Sequence, residues 1–563
     1  MRRLTVSFCC VCLSMGLSHA QFGRGGGWTT SGADAQRSFW VRTDAKISKE
    51  SLRNPGFQFL WKVKLNNQPV QLNSLTTAVT LEGYIGYRGF RTLAHLGGSS
   101  NGVFAVDTDL GRLEWEKHLA SDSSPQVGSP ACPGGMTAEV TRPTPAMIPS
   151  APGGRGGGGG RGGARSGVGE PSEGAVTIAA AATRGGPAGP PGGPGRAVAP
   201  GAPGGPGGGR GPGGGRGPGG GRRAPNAVYA LTSDGKLHSM LVSNGDDTEP
   251  PMEFLPANAN AHGLIVVDDA AYAATSEDCG GAANALWALD LASKQLATWK
   301  PEGSGIAGSL GPSFDTDGTL YVTTTDGELV HLDAKNLKPK DSYSAGKPGF
   351  SSTPVIFTHK DKTLVAVAAR DGRIHLLDTV SLGGPDHHTP LSKTAAVLNT
   401  ADSVPNALAS WQDSDGTRWI LAPTVGPVAP DAGFTATNGT VTNGAVAAWK
   451  VADQNGAPTL QPGWVSRDMV SPLTPMVING VIFALSSGEF RSSDNKLAAA
   501  ERIRRSSPAV LYALDSATGK ELWNSGKTIT SFVHGGTLSG GGTQVYLETY
   551  DGNLYAFGFY IEH

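Results

Sequence analysis

The sequence predicts an all-β, eight-bladed β-propeller of four-stranded antiparallel blades, and three observations carry that prediction. A unit built as apolar strand, Asp-x-x-x-Gly turn and Trp-bearing strand recurs in "GVFAVDTDLGRLEWEK", "NALWALDLASKQLATWK" and "VLYALDSATGKELWNS", and recurrence over roughly 40 to 50 residues is the mark of a radial repeat architecture. Asp-Gly pairs join alternating apolar strands in "YALTSDGKL", "YVTTTDGEL", "VAVAARDGRI" and "VYLETYDGNLYAF", as tight hairpins require. Only 17% of the 563 residues are charged and 83 are Gly, a balance that suits turn-dense β structure and disfavours a helical bundle.

Taken in chain order, the first element is "MRRLTVSFCCVCLSMGLSHAQ", where Arg2 and Arg3 precede a short apolar run and Ser18-His19-Ala20. This is the layout of a secretory signal peptide over residues 1–20, cut after Ala20, and it predicts a periplasmic or secreted protein. No later stretch holds the roughly eighteen apolar residues of a transmembrane segment. The formal net charge of -1 argues against a specific nucleic-acid partner.

Residues 21–56 form an N-terminal segment leading to the propeller, which occupies 57–563. "FQFLWKVKL" (Phe57 to Leu65) carries Trp61 yet has no strands before it, while the last copy stops at "YAFGFYIEH" without an outer strand. Joining the two closes the ring by an N-terminal strand and leaves no open edge. The blades then fall near 72–119, 127–256, 262–302, 308–345, 351–397, 406–466, 472–527 and 533–563. Seven is the fallback count, because the second and sixth copies are degraded. The weaker copies are "GELVHLDAKNLKPKDSY", "GRIHLLDTVSLGG", "GKLHSMLVSNGD" and "GAVAAWKVADQNG".

Within each copy the Asp accepts hydrogen bonds from backbone two or three residues on, and the Gly supplies the left-handed turn position. Trp61, Trp115, Trp299, Trp464 and Trp523 sit at the matching place in five copies, where an indole buries a large area against the next blade. From 150 to 223 the repeat is interrupted by a Gly/Pro/Arg-rich insertion, "APGGRGGGGGRGGARSG" onward. It buries too little apolar surface to offset backbone ordering, so it is expected to be disordered. "AVTIAAAAT" (175–183) within it reads as a stray strand of the second blade.

Of five cysteines, Cys9, Cys10 and Cys12 leave with the signal. Cys132 and Cys279 remain, either as one bridge in an oxidising compartment or as two separate buried thiols.

The copies resemble the repeat of pyrroloquinoline quinone enzymes and their relatives, whose consensus is close to LYALDAxTGKxLW; Leu511 to Trp523 matches it nearly position for position. "WTTSGADAQRSFWVRTDAKIS", with Trp28, Asp34, Gln36 and Arg37, is similar to the segment that precedes the first blade in such proteins. The resemblance runs from Trp28 onward, apart from the insertion. It implies the propeller and a cofactor face formed by the loops leading into each first strand and those between second and third strands. Lead-in loops place His262, Ser309, Ser352, Asn406, Ser471 and His534 there, and Asp-Gly turns place Asp234, Asp326, Arg370, Asp371 and Asp551. The candidate binding residues are His262, Ser352, Arg370, Asp371, Asn406, His534 and Asp551; no catalytic residue and no metal ligand is assigned. Turn geometry by itself accounts for the Asp-Gly carboxylates, whereas Arg370 interrupts that pattern.

A quinone enzyme needs Ca²⁺ on hard oxygen ligands, an Asp base, an Arg at the quinone oxygens and flat surfaces around the ring. The resemblance implies that a disulfide between neighbouring cysteines supplies one such surface in many relatives. Here the only adjacent pair, Cys9-Cys10, lies in the signal, and no C-x-x-C-H haem motif occurs. Trp411 and Trp449 are candidate floors or core residues, and His387-His388 reads as an exposed turn. Two readings follow. The first is a non-catalytic binding or scaffold propeller with a protein or envelope-polymer partner and no cofactor expected. The alternative is a dehydrogenase of alcohols or sugars that depends on pyrroloquinoline quinone (PQQ) and Ca²⁺. Fold alone does not choose between them.

Overall fold

A computed structural model describes residues 27–54, 56–86, 89–121, 128–146, 226–397, 405–491 and 497–560. The expected signal peptide, the 150–223 insertion and its 175–183 island lie outside the described residues.

The described strands assemble into eight sheets arranged as an eight-bladed propeller, so the fallback count of seven is set aside. Blade 1 is Val79–Gly86, Gly89–Gly98, Gly102–Asp107 and Arg112–His118, each antiparallel to the next. The degraded second copy keeps Ala227–Leu231, Lys236–Leu241 and Met252–Glu253, and its innermost position is a short bridge from Thr141 to Tyr229. Blades 3 to 6 start at Asn260–Val267, Ser313–Phe314, Val355–His359 and Ala409–Gln412 and follow the same four-stranded order. Blade 7 begins at Met476–Ile478, and Trp40–Val41 pairs parallel to it as a fifth strand. Blade 8 comprises Ser539–Gly541, Gln544–Glu548 and Asn553–Gly558, with Gln58–Lys64 antiparallel on its outer side.

The repeat pattern of Asp, Gly and Trp acquires a physical cause at the blade boundaries. Trp464 of blade 6 donates its indole N–H to the Ser516 carbonyl of blade 7 at 2.9 Å. Its ring lies so close to Gly519 that a Cβ there would stand 2.3 Å from it. Trp61 repeats this on blade 1, donating to the Thr108 carbonyl (2.9 Å) and covering Gly111. Trp115 repeats it on blade 2, donating to the Val242 carbonyl (2.9 Å) and covering Gly245. The turn glycine therefore serves twice, through its positive φ (70° at Gly519) and as a flat seat for the preceding blade's indole. Two tryptophans behave differently. Blade 4 has Leu337 in the glycine place, and Trp299 packs in the same apolar cluster as that leucine. Trp523 meets Phe57 edge-on at 4.9 Å and Phe557 at 5.7 Å, since blade 8 takes its outer strand from the N-terminus.

The segment before the first blade runs along the free inner edges of the blades, meeting seven of them in order. The carbonyls of Trp28 and Thr29 accept the N–H groups of Thr80 (2.7 Å) and Arg142 (2.8 Å) in blades 1 and 2. Arg37 donates to Gly263 of blade 3 and Pro312 at the start of blade 4. Ala35, Gln36, Ser38 and Phe39 accept from Phe314, Ile356, Ser410 and Val477 in blades 4 to 7, at 2.8 to 3.1 Å. An inner strand has a sheet neighbour on one side only, so its remaining backbone groups need partners. This axial ribbon supplies them.

Candidate functional site

The lead-in loops converge on a central cavity of about 280 Å³. Of the sequence candidates, His262, Asn406 and His534 line it, together with Ser309. The other four do not. Ser352 is fully buried, its hydroxyl accepting the Ala368 N–H at 2.8 Å. Arg370 is exposed and spends its Nε on the Phe350 carbonyl at 3.3 Å. Asp371 accepts the Arg373 N–H and pairs with its guanidinium at 3.4 Å, and Asp551 accepts the Thr549 hydroxyl at 2.6 Å. Threonines two residues before Asp234 and Asp326 make the same contact, at 2.6 and 2.5 Å. A carboxylate held by its own turn points along the loop, so shared position on the face does not bring these residues into the cavity.

His262 stands at the start of the inner strand of blade 3. Its Nε2 is buried without a protein partner, and burial pushes its pKa down to about 4, leaving a neutral ring at pH 7. The cavity also holds residues passed over in the sequence. Glu139, in the degraded second copy, accepts the Gly263 N–H at 3.2 Å; burial pushes its pKa up, against backbone hydrogen bonds and the charge of Arg37. Glu489 lies behind the wall, 1% exposed, and accepts from His534 Nδ1 at 2.7 Å and Arg491 Nε at 3.3 Å, with Arg502 at 3.5 Å. Burial opposes its charge, but the His534 hydrogen bond and the neighbouring Arg491 and Arg502 guanidiniums outweigh that and hold its pKa at about 2. Arg491 and His534 thereby present their remaining nitrogens on the cavity wall.

Glu489 occupies the loop between second and third strands of blade 7, where other copies carry Asp-Gly; "SSGEF" lacks that pair and so escaped a search for it. Trp411 and Trp449 are core residues, and Trp449 packs edge-on against Phe434 at 5.1 Å. His387 and His388 bond the Ser342 and Ser344 carbonyls at an exposed turn. Among the described residues no group of three or more His, Cys, Asp or Glu is arranged to hold a metal ion.

A quinone and Ca²⁺ together require a carboxylate-rich donor set and flat surfaces for the ring. Hard cations take six to eight oxygens with carboxylates among them. Among the described residues that line the cavity Glu139 is the one carboxylate, and none is Phe, Tyr or Trp. The described residues therefore do not fit that pair. Cys132 and Cys279 are joined by a disulfide, Cα to Cα 5.6 Å, beside the cavity mouth.

No family model matches the chain, and no curated protein matches it. Solved structures share its fold. The quinohemoprotein alcohol dehydrogenase of Comamonas testosteroni superposes with a TM-score of 0.53 at 13% identity, covering 97% of this chain and 82% of that one. That of Pseudomonas putida HK5 gives 0.53 at 11% identity over 96% and 81%. A europium-containing methanol dehydrogenase gives 0.50 at 9% identity over 95% and 98%.

Proposed function

We propose that this chain is a non-catalytic binding propeller that works outside the cytoplasm and holds a polar group of a protein or envelope polymer in its central cavity. The wall composition of the cavity carries this reading. Its unspent groups are hydrogen-bond donors and one neutral ring: the Asn406 amide, the remaining nitrogens of Arg491 and His534, and the His262 imidazole. Its one described carboxylate, Glu139, is already occupied by backbone N–H. Such a site recognises an acceptor-rich ligand by fixed polar contacts and offers no described base and oxyanion pair of the kind that drives a chemical step. The secretory layout of residues 1–20 and the Cys132–Cys279 bridge support an oxidising compartment. No helix among the described residues is long and apolar enough to cross a membrane.

The dehydrogenase alternative rests on fold likeness at 9 to 13% identity, which concerns architecture alone. One experiment separates the two. The purified protein is incubated with PQQ and Ca²⁺, passed through gel filtration, and assayed for dye reduction with alcohols and aldoses. The expected outcome is no retained quinone absorbance and no turnover above background. Saturable turnover abolished by Asn406→Ala or Arg491→Ala establishes the dehydrogenase instead. On the binding side, immobilised protein is titrated with solubilised envelope polysaccharide and with isolated peptidoglycan fragments; saturation weakened by the same two substitutions is expected.

A further inference from the structure

One wall of the cavity is a loop rather than a blade, and its attachments are unequal. Residues 128–137 precede the innermost segment of blade 2, and Pro130, Pro133 and Thr137 line the cavity. The ends of the loop are well tied. Asn73 donates to the Gly134 and Met136 carbonyls (3.0 and 2.9 Å), and Thr137 exchanges two hydrogen bonds with Ala261 (2.8 and 2.9 Å). On the blade 1 side, Gln71 donates to the Gly128 carbonyl at 2.7 Å. The tip, 130–133, reaches the blade 3 side by two links: the Asn260 amide to the Ala131 carbonyl at 2.9 Å, and the Cys132–Cys279 disulfide. Cys279 is anchored, lying 4% exposed in the turn between the second and third strands of blade 3.

We infer that the Cys132–Cys279 disulfide is a redox-operated strap that holds this wall against blade 3 and so governs access to the central cavity. The inference rests on the cavity being the binding site. A dithiol reductant supplies two electrons and two protons, the S–S bond breaks, two thiols form, and the dithiol becomes a disulfide. The tip then keeps the Asn260 hydrogen bond and the long, weak contacts of the freed thiols with the Ala131 and Glu277 carbonyls (3.6 and 3.9 Å), non-covalent links that open far more readily than the S–S bond. The ends stay tied, so the loosening is confined to the wall and the eight blades are untouched.

The cavity contains its own reporter. His262 lies inside the wall with Nε2 shielded, while His387 and His388 are exposed on a distant turn. Diethyl pyrocarbonate acylates neutral imidazole, and peptide mass spectrometry reads the rate at each histidine. In the full-length oxidised protein His262 is expected to react slowly. Reduction with a phosphine, or the Cys132→Ser variant, is expected to accelerate it by on the order of tenfold, as for release of a local restraint, with His387 and His388 unchanged. Equal His262 rates in both redox states overturn the strap. Acceleration at every buried histidine, His375 included, also overturns it, because the bridge is then a staple of the whole fold. If Cys132→Ser fails to fold, the phosphine-reduced protein gives the same answer. A changed His262 rate in a protein that binds no envelope fragment leaves the strap standing and removes the binding reading.

Discussion

At the rim of the ring, three indoles each cross one blade boundary and sit on one glycine. At the axis, a single ribbon from Trp28 to Val41 serves seven blades at once. The rim contacts are repeated and local: each pairs a Trp with the turn glycine of the next blade, in an Asp-x-x-x-Gly turn at Gly111 and Gly519 and in "LVSNG" at Gly245, and each can be lost without disturbing the others. Stability of that kind adds up interface by interface. The axial contacts are unique and shared, because one ribbon satisfies backbone groups that no blade can satisfy for itself. Its centre is the Arg37 guanidinium, 1% exposed, which donates to Ser31, Gly263 and Pro312 carbonyls and the Thr30 hydroxyl. Burial lowers its pKa to about 10 while Glu139 and Asp34 support its charge, so it remains a cation. The ring is thus modular outside and cooperative inside.

The largest effect is expected where the two modes meet. Deleting 57–65 removes the outer strand of blade 8 and the Trp61 dock together, so the loss exceeds the about 3–5 kcal/mol typical of a Trp truncation. An unchanged melting temperature would show that this strand does not hold the ring. Next comes Arg37→Met, which leaves four acceptors and Glu139 without their partner. A cost of about 3–5 kcal/mol in urea unfolding is expected, as for a broken buried charge network, and a cost under about 1 kcal/mol would mean the ribbon is passive.

Gly519→Ala tests the rim. Its Cβ meets Trp464 at 2.3 Å and its φ is 70°, so overpacking and left-handed strain together cost about 2–4 kcal/mol. Gly456→Ala is the control, with φ 82° and nothing within 4 Å of the new Cβ; about 1–2 kcal/mol is expected from strain alone. Equal losses at the two glycines would remove the seat from the account of the repeat.

The smallest effect separates the two regions by pH. Glu489 has its folded pKa depressed to about 2 from 4.5, so its contribution is fully present above about pH 4.5 and is lost as pH falls toward 2. Glu489→Gln should cost on the order of 1–3 kcal/mol at neutral pH and flatten the acid limb of the stability curve. The Trp464 dock, whose indole N–H and carbonyl do not titrate, should show no such dependence in Gly519→Ala. A Glu489→Gln protein with an unchanged acid limb would mean that its cationic neighbours do not hold the carboxylate charged.

Much of this was legible before any coordinates because the blade is a local object. Asp515, Gly519 and Trp523 lie within one strand-turn-strand unit, and the sheet order follows from repeating it. The candidate site was legible only in part. Lead-in loops carried His262, Asn406 and His534 to the cavity, but Arg370, Asp371 and Asp551 are claimed by turn contacts within a few residues or by nearby backbone. Glu139 was passed over because it stands in the degraded second copy, and Glu489 because its loop in an otherwise strong copy lacks the Asp-Gly pair.

The chain by itself determined the blade unit and the place of the turns, since these depend on strand periodicity, Asp-Gly chemistry and short separations in sequence, whereas the choice of eight blades over seven needed the assembled sheets. Tertiary structure alone decided three further matters. The partner of each Trp is the glycine of the following blade, and Trp464 reaches Ser516 across |i−j| = 52. The role of Trp28 to Phe39 as axial ribbon depends on free inner edges that exist only once the ring has formed. The charge state of Glu489 depends on two guanidiniums and a histidine hydrogen bond: Arg491 stands close to it in sequence, whereas Arg502 and His534 reach it only through the fold. Electrostatics and edge pairing act through space, and distances along the chain do not encode them.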